Sequence, residues 1–171
     1  MIAFSQIQKV LKDVFESATG IKFVWNNEPR SLLAKPFGVL SLGNSAAVGR
    51  DNFSYDFEGK TLQVYGHREL TINIQIFARD AKGQKSSREL IERARLSLAN
   101  PIHKESLRKA GLVFLENHSV VDLEFSYDQR HENRSSFDVV FSMCLHESQT
   151  IKDINYFDKV TISENISHES R

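Results

Sequence analysis

The chain has 171 residues, 40% of them hydrophobic and 26% charged, with 22 Lys plus Arg balanced by 22 Asp plus Glu. That length suits one domain burying roughly two thirds of its unfolded surface. The zero net charge argues against a dedicated nucleic-acid binder, which would carry a basic excess. The single Cys144 rules out an internal disulfide and suits a reducing compartment. No run approaches the roughly 18 apolar residues of a membrane span. The opening residues, Met1-Ile2-Ala3-Phe4-Ser5-Gln6, have neither the basic nor the continuous apolar region of a signal peptide. The expectation is a protein made and kept in the cytosol of its producing cell.

Ile7, Val10, Leu11, Val14, Phe15 and Ala18 recur at helical spacing and predict an amphipathic helix over residues 7–18, stopped by Gly20. A short apolar run at residues 21–25 breaks at a turn, Asn26-Asn27-Glu28-Pro29-Arg30. Residues 37–42 are apolar on both faces and read as a central strand. Residues 43–60 read as a long excursion and a protruding hairpin. Phe53, Tyr55 and Phe57 alternate with polar residues there, between glycines and other turn formers. Their plain reading is packing on the core. The alternative is an exposed aromatic hairpin that grips a neighbouring subunit.

Residues 61–65 and 70–79 flank Gly66 and form either one long bent strand or a tight hairpin. In the second piece Ile72, Ile74 and Ile76 alternate with Thr71, Asn73 and Gln75, the period of a strand with one buried face. Ser86 followed by Glu89 is a capping box for a helix over residues 87–98. Leu90, Ile91, Ala94 and Leu98 form its apolar stripe. Glu89 and Arg93, four apart, lie on a solvated face. Asn100-Pro101 starts a short helix with Ile102, Leu107 and Ala110 apolar, ended by Gly111. Strands over 112–115 and 120–127 follow, the second with Val121, Leu123, Phe125 and Tyr127 on one side. Residues 128–134 read as a charged, solvated hairpin tip leading to a strand over 135–145 in which Phe137, Val139 and Phe141 alternate. Residues 151–166 carry Tyr156, Phe157, Val160 and Ile162 at strand-like spacing. The fold class is therefore α+β, a mainly antiparallel sheet with helices packed on one face. Residues 1–150 form a single domain, and 151–171 a strand-like extension with a frayed end. The core includes Leu11, Val14, Ile72, Ile74, Ile76, Leu90, Ala94, Val139 and Phe141.

No motif of catalysis is present: no glycine-rich phosphate loop, no His-Glu-x-x-His and no Gly-x-Ser-x-Gly. One cysteine cannot build a zinc–thiolate site. The 6 histidines are scattered. The nearest approach to an acid–base cluster, Asp128, His131 and Glu132, sits in a charged loop with nothing to desolvate it. His146, Glu147 and Asp138 read as surface residues, and Cys144 as a packing residue. Neither catalytic residues, nor a cofactor, nor a metal is expected.

The order of elements resembles the neck and tail-terminator proteins of tailed bacteriophages. The resemblance covers most of the chain. It lies in the N-terminal helix, the turn at Asn27-Glu28-Pro29-Arg30 and the strand ending Gln75-Ile76-Phe77-Ala78-Arg79-Asp80-Ala81 with a helix straight after it. It continues through the break at Leu98-Ala99-Asn100-Pro101, the close at Ala110-Gly111-Leu112, the stretch from Asn133 to Phe141 and the ending Ile154-Asn155-Tyr156-Phe157-Asp158-Lys159-Val160. Such proteins form a ring, commonly of six copies, on the last ring of the tail tube, stop its growth and offer a surface to the head-side connector. The resemblance therefore implies a structural protein of the virion, assembled in the host cytoplasm. Its partners are its own copies, the tail tube protein and a head-completion or stopper protein. The genome passes through the lumen without sequence-specific binding, and no membrane is involved. Contacts between copies are expected from residues 49–60, 128–134 and 151–166, with Phe53, Tyr55, Phe57, Arg130, Arg134, Tyr156 and Phe157 as candidate interface residues. The alternatives are another neck piece, a head-completion or stopper protein, and a small RNA- or nucleotide-binding α+β module using sheet aromatics.

Overall fold

The structure, a computed structural model, describes residues 4–29, 33–56, 58, 60–79, 85–123, 125–127 and 130–150. Helix α1 (Phe4–Thr19) buries Ile7, Leu11, Val14 and Phe15. Gly20 ends it at a φ of 75°, its N–H bonding the Glu16 carbonyl at 2.8 Å. Strands β1 (Lys22–Trp25), β2 (Phe37–Ala47), β3 (Asn52–Asp56) and β4 (Thr61–Ala78) follow. Helices α2 (Ser87–Ser97) and α3 (Pro101–Lys109) come next, then β5 (Leu112–Asn117), β6 (Val121–Asp122), β7 (Phe125–Tyr127) and β8 (Arg130–Thr150). The sheet runs β1-β2-β4-β8-β5, with β3 paired to β4, and β6 and β7 paired to β8. Among these pairings β1–β2 is parallel and the rest are antiparallel. The fold is α+β.

Alternation decides which face the helices cover. Leu70, Ile72, Ile74, Ile76 and Ala78 of β4 are all buried. Across the register Leu70 meets Phe141, Ile72 meets Val139 and Ile74 meets Phe137. These side chains join Leu11, Val14 and Phe15 of α1 and Leu90, Ile91 and Ala94 of α2 in one core. Every residue expected in the core from sequence is buried. Ser86 caps α2 by accepting the Glu89 N–H at 3.1 Å. Buried Ser87 then ties the start of the helix to the sheet: it contacts Asn133, and its hydroxyl lies 2.8 Å from that of Ser135. Ser135 donates to Asp122 at 2.6 Å, and Arg88 pairs with the same carboxylate at 3.1 Å.

Phe23 of β1 stands opposite Gly38 of β2, and a Cβ at Gly38 would overlap its ring. Gly38→Ala is expected to lower stability by about 1–3 kcal/mol, the cost of forcing extra volume into a packed core. The urea midpoint reads this directly. An unchanged midpoint would mean the ring has room to move aside.

The helix-free face is polar and ordered. Arg134 donates to Gln75 at 2.7 Å, Gln75 to Asn73 at 2.6 Å and Asn73 to Asp138 at 2.6 Å. Charge of opposite sign ends the series at each side, with two amides aligned between. Phe77 stacks on Phe37 with centroids 5.1 Å apart, and the Arg134 guanidinium lies 5.0 Å from the Phe77 centroid.

Three expectations need correction, while at Gly66 the long-strand reading holds and the hairpin does not: β4 runs unbroken through it and pairs in constant register with β8. A Cβ there would come within 2.5 Å of an Asp51 oxygen and 2.6 Å of the Arg68 guanidinium, so the glycine makes room for that ion pair. Ile102 does not join the apolar face of α3 and is 73% exposed. It precedes Leu107 by five residues, about 140° around the helix. The single strand over 120–127 is two short ones. Val121 faces Ser136 on the helix-free side and is exposed, as is Leu123. Finally, residues 130–134 are strand, not loop. Strand β8 already begins at Arg130, Arg134 pairs with Phe77, and Asn133 with Ala78. The antiparallel β7–β8 hairpin is present, with Tyr127 opposite Arg130, while the expected tip at residues 128 and 129 lies outside the described residues.

Candidate interface surface

Strand β4 has 18 residues, and at 3.2–3.4 Å each it spans about 60 Å. The buried stretch of β4 begins at Leu70. The preceding residues, 61–69, project as an arm, flanked on one side by β3 and residues 46–47 and on the other by residues 142–150 of β8. Register and alternation give the arm two unlike faces. Phe53, Tyr55, Leu62 and Val64 continue the helix side as an apolar strip. Phe53 on the outer strand is 77% exposed, the largest fraction among the large apolar residues described. This overturns the reading in which its ring packs on the core. The hairpin itself forms, β3 pairing with residues 61–65 of β4. The other face carries Ser54, Gln63, Tyr65, His146 and Ser148. Tyr65 stacks on His146 at 4.7 Å and its hydroxyl contacts Gln63. The His146 Nε2 is buried and has no hydrogen-bond partner among the described residues.

At the base of the arm Arg68 binds Asp51 through two hydrogen bonds, 2.6 and 2.8 Å, pinning the turn before β3 onto β4. The hydrogen bonds from Arg68 hold the Asp51 carboxyl below its ordinary range, and Asp51 raises the Arg68 guanidinium in return. A depressed carboxylate contributes stability above its unfolded pKa of about 3.9 and loses it as pH falls through the folded value. The turn is therefore expected to loosen only below about pH 4. Amide hydrogen exchange at residues 48–52 checks this: protection should be flat from pH 7 to 5 after correction for intrinsic rates. In Asp51→Asn the acid-dependent change should disappear.

The candidate residues do not form one cluster. Phe53 and Tyr55 share the arm. Arg134 lies near the other end of the sheet: it pairs with Phe77, 13 positions along β4 from the Val64 opposite Phe53, about 40 Å away. Arg130 opens β8, but its side chain, together with Phe57, Tyr156 and Phe157, lies outside the described residues. Sequence reasoning ended β8 at residue 145 and missed residues 146–150 as part of the arm, because they are polar on both faces and leave no hydrophobic period to read. It also missed the exposed Leu96 of α2.

Among the described residues no group of three or more His, Cys, Asp or Glu could hold a metal ion, and no helix is long and apolar enough to cross a membrane. What the geometry does offer is contact surface: a two-faced arm standing away from a helix-covered core. The model of the phage neck terminator protein family matches residues 5–167, and the chain belongs to that family. It is thus a structural protein of the bacteriophage neck. No curated protein matches the chain.

Proposed function

We propose that the protein is a tail terminator that closes into a ring on the last ring of the tail tube, stops its growth and joins it to the head-side connector. Family membership carries this reading, and the arm supports it: an exposed aromatic on a projecting outer strand suits an anchor between subunits. The ring is heterologous, one patch meeting a different patch on the next copy. By the family resemblance it contains six copies. Its neighbours are the tail tube protein and a head-completion or stopper protein, and the genome passes through its lumen without sequence-specific binding. Assembly takes place in the host cytoplasm, and the work is mechanical rather than enzymatic. Residues 49–60 anchor the contact through Phe53, Tyr55 and Phe57. Residues 128–134 align it through Arg130 and Arg134, and residues 151–166, with Tyr156 and Phe157, add a strand to a neighbouring sheet.

Native mass spectrometry of the purified protein, followed by its addition to polymerising tail tube protein, tests the reading. The expected result is a discrete ring that halts tube elongation. A ring that binds the head-side connector yet leaves tube growth unchecked would assign the protein to another position in the neck. A monomer at every concentration would overturn the proposal.

A further inference from the structure

The edges of the sheet are not treated alike. On β1 the N–H groups of Phe23 and Trp25 are capped by the Glu16 and Glu28 carboxylates at 2.9 and 3.1 Å. Those carboxylates are themselves held by Lys22 at 3.3 Å and Lys12 at 3.1 Å. Strand β5 carries a register break between Phe114 and Glu116, and β2 one between Leu42 and Ser45. Capping and bulging are the devices that stop a sheet from adding strands. The arm has neither. Strand β3 and residues 144–150 of β8 contain no proline, lysine or register break, and among the described residues nothing pairs with their outer edges.

We infer that the open β8 edge, residues 144–150, is completed by strand β3 of a second copy, so that the arms join edge to edge around the ring. This rests on the ring reading above. Chain direction fits. Strand β3 is antiparallel to β4 and β4 to β8, so β3 and β8 run the same way. Cyclic symmetry keeps all arms pointing one way along the axis, so the incoming β3 lies parallel to β8. At equal height the register sets Asn52 of one copy beside His146 of the next, within reach of the Nε2 that has no partner among the described residues, and Ser54 beside Ser148. Phe53 then lands next to Glu147, and its ring reaches the half-buried Leu145 on the same face. Each arm supplies β3, β4 and β8, so six arms close on the order of 18 strands, the size class that leaves an open aqueous channel. The polar face of Ser54, Gln63 and Ser148 turns toward that channel, and the apolar strip turns outward with the helices.

Cysteine pairing tests this. Within one copy β3 and β8 are separated by β4, about 9–10 Å, beyond the roughly 7 Å that a disulfide can bridge. A bond between them must therefore join two copies. In a Cys144→Ser background, Ser54→Cys is combined in turn with His146→Cys, Ser148→Cys or Thr150→Cys, and the assembled ring is mildly oxidised. Non-reducing electrophoresis is expected to show, for at least one pair, a ladder of covalent oligomers up to the full ring, with none for Leu96→Cys on the helical surface. Rings that assemble but yield no ladder from any pair would overturn the edge pairing and leave the ring reading standing. Absence of a ring from the unaltered protein would remove the ring reading itself.

Discussion

Phe141→Ala is expected to lower the unfolding free energy by about 3–5 kcal/mol, the usual cost of truncating a buried aromatic. Phe141 is fully buried, opposite Leu70 on β4 and Phe114 on β5. Its ring meets that of Phe114 edge-on, centroids 6.3 Å apart and planes at 70°. The ladders of three strands hold the surrounding backbone, so the site cannot collapse into the space left behind. Domains of this size retain about 5–15 kcal/mol in total, so the variant would stand near the limit of folding. Urea denaturation measures the loss. Leu115→Ala, at a 45% exposed position, is the control and should change stability little. A loss below about 1 kcal/mol for Phe141→Ala would mean the ring is not held in a tightly packed core.

Phe53→Ala is expected to do the reverse, sparing the subunit and weakening the assembly. At 77% exposure its ring contributes little to the isolated fold, and the urea midpoint should move by no more than surface substitutions generally do. At an interface a buried aromatic anchor is worth about 2 kcal/mol or more, close to a thirtyfold change at each contact. Every contact around a ring feels the loss, so native mass spectrometry at a concentration where the unaltered ring is intact should show mostly subunits. Truncation after Thr150 should also weaken the ring. Arg130→Ala should weaken it least, because charges at the rim steer and align more than they hold. If Phe53→Ala assembled like the parent protein, the arm would lose its place in the contact.

The buried half of the sheet was readable in the chain because burial of one face imposes a period of two. Ile72, Ile74 and Ile76 against Val139 and Phe141 announced both the strands and their core side. Helix limits were legible from Ser86, Asn100 and Gly20, where capping chemistry leaves specific residue types. The arm was only half legible. Its aromatics showed alternation at 53 and 55, but alternation does not say what lies above the face, so Phe53 was open to both readings. Charged residues 130–134 looked like a loop because charge usually marks solvent. Here Arg134 sits inside a sheet whose polar face offers it Gln75 and Phe77. The joining of β4 to β8 depends on residues far apart in the sequence, and no local signal encodes it.

That joining sets an order of events. Strand β8 begins at Arg130, after every other described element has left the ribosome, yet it lies at the centre of the sheet between β4 and β5. Its residues 135–143 close the core, and its residues 144–150 continue without a break in register along the arm. In the chain the core segment comes first and the arm edge directly after it, so the edge proposed for self-association is the last described segment to be made. On the ring reading, a chain that has not yet laid residues 144–150 along β4 can present β3 and Phe53 to a neighbour but cannot receive a neighbour's β3 in return.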